Sequence, residues 1–119
     1  MSFIVYYLDD EKDLIEIFSD TFSSPEREIV TFYEPRQFLE TVRTSPPDLV
    51  FLDYRLPRCT GDDIALLIDN KIPKVLLTGE MDVDLKSNIV AIIEKPYKTE
   101  KVEAIIMNYQ RLKNANHGV

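Results

Sequence analysis

The chain has 119 residues, 45% of them hydrophobic and 29% charged, with a net charge of −7. That length suits one domain with a proper core, expected to span 1–119. The acidic balance argues against direct binding to nucleic acid or an anionic membrane, and no apolar run approaches the roughly 20 residues of a membrane span.

The opening "MSFIVYY" has no basic region before its apolar run and no cleavage-like site, so no signal peptide is expected. The lone Cys59 cannot form an internal disulfide, which fits a reducing cytosol and a cytoplasmic location. Together with the single His117 it is too little for a zinc site or a Cys/His catalytic pair. There is no phosphate-binding loop and no GxGxxG.

Along the chain, a first apolar run at 3–8 ends in Asp9-Asp10. Asp10 is a plausible N-cap for a helix striped by Leu14, Ile17, Phe18 and Phe22. A second run, 29–32, is followed by a helix opened by Pro35 and striped by Phe38, Leu39 and Val42. After the Pro46-Pro47 loop a third run, 49–52, ends in Asp53. Gly61 marks a loop, and Ile64, Leu67 and Ile68 predict a short helix.

The fourth run, 75–77, ends in Thr78-Gly79, and the fifth, 90–93, is followed by Lys95-Pro96. Between them "GEMDVDLKSN" has little apolar periodicity, so one turn of helix or an irregular loop is expected. The last helix is striped by Val102, Ile105, Ile106, Tyr109 and Leu112. Its acids (Glu100, Glu103) come early and its bases (Arg111, Lys113) late, as the helix dipole favours. Fraying is expected from Asn114. Short continuous apolar runs suit strands buried on both faces, and their alternation with helices predicts a (βα)5 α/β domain with a parallel sheet.

In such a sheet the residues after the runs all lie on one edge, where ligands bind. That edge gathers Asp9, Asp10, Asp53, Thr78 and Lys95. Carboxylates brought that close repel one another by about 1–4 kcal/mol per pair, and a hard divalent cation such as Mg²⁺ resolves the repulsion. A cation beside a carboxylate suits phosphoryl chemistry. Asp53 then reads as a nucleophile forming an acyl phosphate, with Thr78 and Lys95 contacting phosphoryl oxygens.

These motifs, "LDDE", "VFLDYRLP", "LLTG" and "EKPY", resemble those of receiver domains in the two-component response-regulator family, over essentially the whole chain. The resemblance implies a flavodoxin-like fold with strand order 2-1-3-4-5. It implies that Asp53 accepts a phosphoryl group from a histidine kinase or histidine phosphotransfer protein and so switches contacts with an output protein or domain. It further implies Mg²⁺ held by Asp10 and Asp53, by Asp9 directly or through water, and by the backbone carbonyl of Arg55. Thr78 becomes the switch hydroxyl and Lys95 the site lysine, with a cis bond to Pro96.

Two departures stand out. Ile92 occupies the place of the usual aromatic three positions before the lysine, and the Thr78–Lys95 spacing is short. Both bear on the output surface and leave the phosphorylation chemistry intact. Arg55 and Glu80 flank the pocket and are expected to pair, while Tyr54 and Tyr97 read as packing aromatics. Two other functions compete. A degenerate receiver that only binds protein is favoured by the missing aromatic and opposed by the complete acidic set. An aspartyl-phosphate phosphohydrolase of the haloacid-dehalogenase type needs an acid two residues after the nucleophile, where this chain has Arg55.

Overall fold

The computed structural model describes residues 2–117. The apolar runs become five strands and the amphipathic stretches four helices. In chain order they are β1 (Phe3–Leu8), α1 (Lys12–Phe22), β2 (Arg27–Phe32), α2 (Pro35–Thr44), β3 (Leu49–Asp53), α3 (Gly61–Ala65), β4 (Lys74–Thr78), β5 (Ala91–Glu94) and α4 (Thr99–His117). Every strand pair is parallel and the order is β2-β1-β3-β4-β5, as the resemblance implied. The chain runs outward from β1 to β2 and then returns to β3 on the other side of β1. The carboxyl ends of β1 and β3 therefore form the switch point of the sheet, where a crevice opens.

Successive strand residues face opposite sides, and this alternation builds two cores. On one side Val5, Tyr7, Phe51 and Leu77 pack against Phe18 and Phe22 of α1 and Val102 and Ile106 of α4. On the other, Tyr6, Leu52 and Leu76 pack against Phe38 and Val42 of α2 and Ile64 of α3. Strands β3 and β4 are buried along their whole length, whereas the edge strand β5 buries only Ile93.

The helical stripes differ in detail from the sequence expectation. In α1 the core line is Ile15, Phe18 and Phe22, while Ile17 is 54% exposed. Ile15 and Phe22 lie three before and four after Phe18 on one face, and Ile17 lies about 100° away around the axis. Likewise α3 ends at Ala65, so Leu67 falls beyond it and is exposed, and Leu112 of α4 is exposed as well. The last helix continues through Asn114, where fraying was expected, to His117.

The largest departure from a (βα)5 plan is the crossover from β4 to β5, which has no helix. Residues 81–90 instead alternate between half-buried odd positions and exposed even ones, after Met81. Val83, Leu85 and Ile89 pack on the second core. A period of two is the pattern of extended chain, which explains why no helical stripe could be read there. The strap is pinned by the buried carboxylate of Asp62 in α3. Its Oδ2 accepts from Lys86 N–H at 2.7 Å and its Oδ1 from Ser87 N–H at 3.0 Å and from the Ser87 hydroxyl.

Candidate functional site

The sheet register assembles the site. Leu8 of β1 pairs with Leu52 of β3, so the next residues, Asp9 and Asp53, stand level at the carboxyl edge. Thr78 ends β4 beside Glu94 of β5, and the next residue, Lys95, donates its N–H to Thr78 O at 2.8 Å. Parallel strands in register thus turn four distant stretches of sequence into one locus.

Asp9, Asp10 and Asp53 each offer a carboxylate oxygen within 4.8 Å of the others. Asp9 is fully buried and Asp53 is 5% exposed, whereas Asp10 faces solvent. Lys95 Nζ lies 2.8 Å from Asp53 Oδ1 and 3.0 Å from Asp9 Oδ2. One ammonium therefore offsets only part of the charge of three carboxylates, and the oxygen-rich, acidic donor set fits a hard divalent cation.

Burial raises the Asp53 carboxyl to about 6, and the neighbouring Asp9 pushes the same way, partly offset by the Lys95 hydrogen bond. Burial alone would depress the Lys95 ammonium, but its bond to Asp53 and the charge of Asp9 hold it above the usual lysine range. At pH 7 Asp53 is therefore largely ionised.

The expectation that Asp10 caps α1 needs correction. The N-cap is Glu11, which makes no side-chain cap. Asp9 serves the helix entry instead, its Oδ1 accepting the Glu11 N–H at 3.0 Å. A residue at the strand exit reaches that amide two positions on in an Asx turn, and Asp10 is left exposed.

After Asp53 the chain loops back, closed by Gly61 N–H donating to Tyr54 O at 2.8 Å. A Cβ on Gly61 would sit inside contact distance of the Asp53 backbone oxygen and 2.9 Å from Leu76 Cδ1. Glycine is thus required by close approach to the strand that carries Asp53. Arg55 turns its guanidinium outward to clasp Glu80, with bonds of 2.7 and 2.8 Å. The expected pair forms, and being exposed it contributes little to stability. Tyr97 packs edge-on against Phe18, as a packing aromatic should. The Lys95–Pro96 bond is cis.

Thr78 is buried at the same carboxyl edge. Its Oγ1 accepts the Glu80 N–H at 3.0 Å. Sequence reasoning missed one residue of the cluster, Tyr7, whose hydroxyl donates to Asp9 Oδ2 at 2.5 Å. The signal was present: residues two apart on a strand share a face, so Tyr7 and Asp9 had to point the same way.

A doubly wound α/β domain with an acidic cluster and a lysine at its switch point defines a class of site built for an anionic ligand and a cation. The match to known sequences narrows the class. The family described as the response regulator receiver domain matches residues 5–107, and the chain belongs to that family. Among curated relatives, it is 29% identical over 107 residues to the DNA-binding response regulator MtrA of Mycobacterium tuberculosis, covering 84% of this chain and 47% of that protein. It is also 29% identical over 98 residues to the hybrid signal transduction histidine kinase D of Dictyostelium discoideum, covering 73% of this chain and 6% of that protein.

The chain therefore spans about half or less of the relatives it matches. Solved structures share its fold. The signal receiver domain of an HD domain-containing protein from Pseudomonas fluorescens has a TM-score of 0.84 at 16% identity, covering 98% of this chain and 93% of that one. Vibrio cholerae CheY4 has a TM-score of 0.80 at 18% identity, covering 92% and 99%. No helix among the described residues is long and apolar enough to cross a membrane.

Proposed function

We propose that this receiver domain is a functional phosphoacceptor in which Asp53 takes a phosphoryl group from the phosphohistidine of a histidine kinase or histidine phosphotransfer protein. The observation that carries this reading is the convergence of Asp9, Asp10 and Asp53 within 4.8 Å, with Lys95 bonded to Asp53. An Asp53 carboxylate oxygen attacks phosphorus, the phosphorus–nitrogen bond to the donor breaks, and the imidazole nitrogen leaves with the bonding pair and takes up a proton. In this reading Lys95 pairs with a phosphoryl oxygen, and Thr78 turns its hydroxyl to donate to another.

Asp10, Asp53 and one oxygen of Asp9, with the Arg55 carbonyl, would hold Mg²⁺, which when bound neutralises phosphoryl charge. Beside Lys95 a groove of about 510 Å³ is lined by Leu14, Ile17, Pro96 and Tyr97, an apolar surface on which the donor can seat. The phosphohydrolase alternative lacks its acid: Arg55 occupies that position and is committed to Glu80. The domain acts as one signalling unit in the cytoplasm and passes its state to an output protein or domain.

Incubation with acetyl phosphate and Mg²⁺, followed by intact-mass measurement, tests the reading. One phosphoryl group is expected, dependent on the metal and released by hydroxylamine. Equal labelling of Asp53→Asn would overturn the assignment.

A further inference from the structure

Tyr7 is fully buried on β1, its ring centroid 4.4 Å from that of Phe18, so the packing of the first core fixes where its hydroxyl lies. A phenol beside a carboxylate can only donate to it, so Tyr7 is a standing donor at the carboxyl edge of the sheet.

Each carboxylate oxygen has about two acceptor sites. Asp9 Oδ2 already accepts from Tyr7 at 2.5 Å and from Lys95 Nζ at 3.0 Å, and Asp9 Oδ1 accepts from Glu11 N–H at 3.0 Å. One site remains, on Oδ1. We propose that Tyr7 is a positioning residue of this site, its hydroxyl committing Asp9 Oδ2 to a Tyr7–Asp9–Lys95 chain. Asp9 then presents a single oxygen to a cation, directly or through water. The same chain tethers the Lys95 ammonium through Asp9 when Asp53 exchanges its ion pair for a phosphoryl group. The inference rests on the phosphoacceptor reading and deepens it by a residue that reacts with nothing itself.

Tyr7→Phe keeps the ring and removes one oxygen. Calorimetric titration with magnesium chloride of the wild type, Tyr7→Phe, Asp9→Asn and the double variant tests the proposal. Tyr7→Phe is expected to weaken Mg²⁺ binding about tenfold, the low end for loss of an outer partner of a metal ligand. In the Asp9→Asn background the same substitution is expected to change nothing further. An unchanged affinity in Tyr7→Phe, or an equal loss in both backgrounds, overturns the proposal.

Metal-free melting temperatures of the same four proteins give a reading independent of the cation. Coupling, with the double variant losing less than the two single losses combined, supports the chain, and additive losses overturn it. A wild type that binds no Mg²⁺ would instead sink the phosphoacceptor reading, and the melting temperatures would then decide the role of Tyr7 alone.

Discussion

Lys95 Nζ sits 2.8 Å from Asp53 Oδ1, so the proposed phosphoacceptor is held in an ion pair before any phosphoryl group arrives. The pair is largely withdrawn from water, with side-chain exposures of 19% and 7%. Removing one partner of such a pair leaves an uncompensated buried charge, which costs about 3–5 kcal/mol when burial is complete. Lys95→Met should therefore lower metal-free stability at pH 7 by about 3 kcal/mol, measured by urea denaturation in chelator. A loss below about 1 kcal/mol would place the pair among ordinary surface contacts.

Asp53 sets a pH dependence of a particular sign. Its carboxyl is raised from 3.8 to about 6 in the fold, so between those values the native state holds a proton that the unfolded chain does not. Stability from this group is fully present below pH 4 and is lost as pH rises through 6, by about 3 kcal/mol for two units. In chelator, the stability of the wild type relative to Asp53→Asn should thus fall between pH 4 and pH 7 and then level off. A difference that rises over that window would show that Lys95, and not burial, dominates the carboxyl.

Gly61 supports the same residue from behind. Because a Cβ there meets the backbone oxygen of Asp53, relief requires β3 or the loop to shift. Gly61→Ala should cost about 1–3 kcal/mol, as overpacking does, and should slow phosphorylation by acetyl phosphate by displacing Asp53. Unchanged melting together with an unchanged rate would show that the loop yields freely.

Much of this arrangement is legible in the sequence. The carboxyl-edge residues were readable because each follows an apolar run whose end is marked by a change in chemistry, and a parallel sheet puts all such ends on one edge. The pairing of Arg55 with Glu80 followed from their equal offsets past Asp53 and Thr78. What stayed hidden depends on facing and on distance. Tyr7 lay unremarked in the first apolar run: its facing toward Asp9 was readable, but apolarity does not report that its hydroxyl ends on the carboxylate. Ile17 and Ile15 exchanged places because both are isoleucines near one stripe, and only packing selects between them. Asp62 gave no sign at all. Its partners lie 24 and 25 residues away, and no local periodicity records such a contact.

Asp62 is where the strap from β4 to β5 is fastened. Burial works against its charge, but the Ser87 hydroxyl and the amides of Lys86 and Ser87 outweigh it, leaving the carboxyl below the usual aspartate range. Its contribution is therefore present above the unfolded value near 3.8 and lost as pH falls below it. Asp62→Ala strands those donors and should cost about 1–3 kcal/mol. Amide exchange should accelerate at residues 84–88 well beyond the global loss. Uniform acceleration across the sheet would mean the strap is held by Val83, Leu85 and Ile89 alone.

The same strap is the element through which phosphorylation should be reported. Thr78 Oγ1 now accepts the Glu80 N–H at 3.0 Å, and Glu80 clasps Arg55 in the loop after Asp53. If the Thr78 hydroxyl turns toward a phosphoryl oxygen, the Glu80 amide loses its acceptor where the strap begins, and the clasp to the 54–60 loop is disturbed with it. Ile92, half exposed on the edge strand, has no ring to swing and a β-branched side chain restricted at its first torsion. No residue of 79–90 is fully buried, and local openings are drawn from such segments. Hydrogen exchange with and without beryllofluoride should therefore change most at 54–61 and 79–88 and least along β5 and α4. Changes centred on residues 91–94 and on α4, with the strap silent, would show that the signal leaves the site through the edge strand despite Ile92.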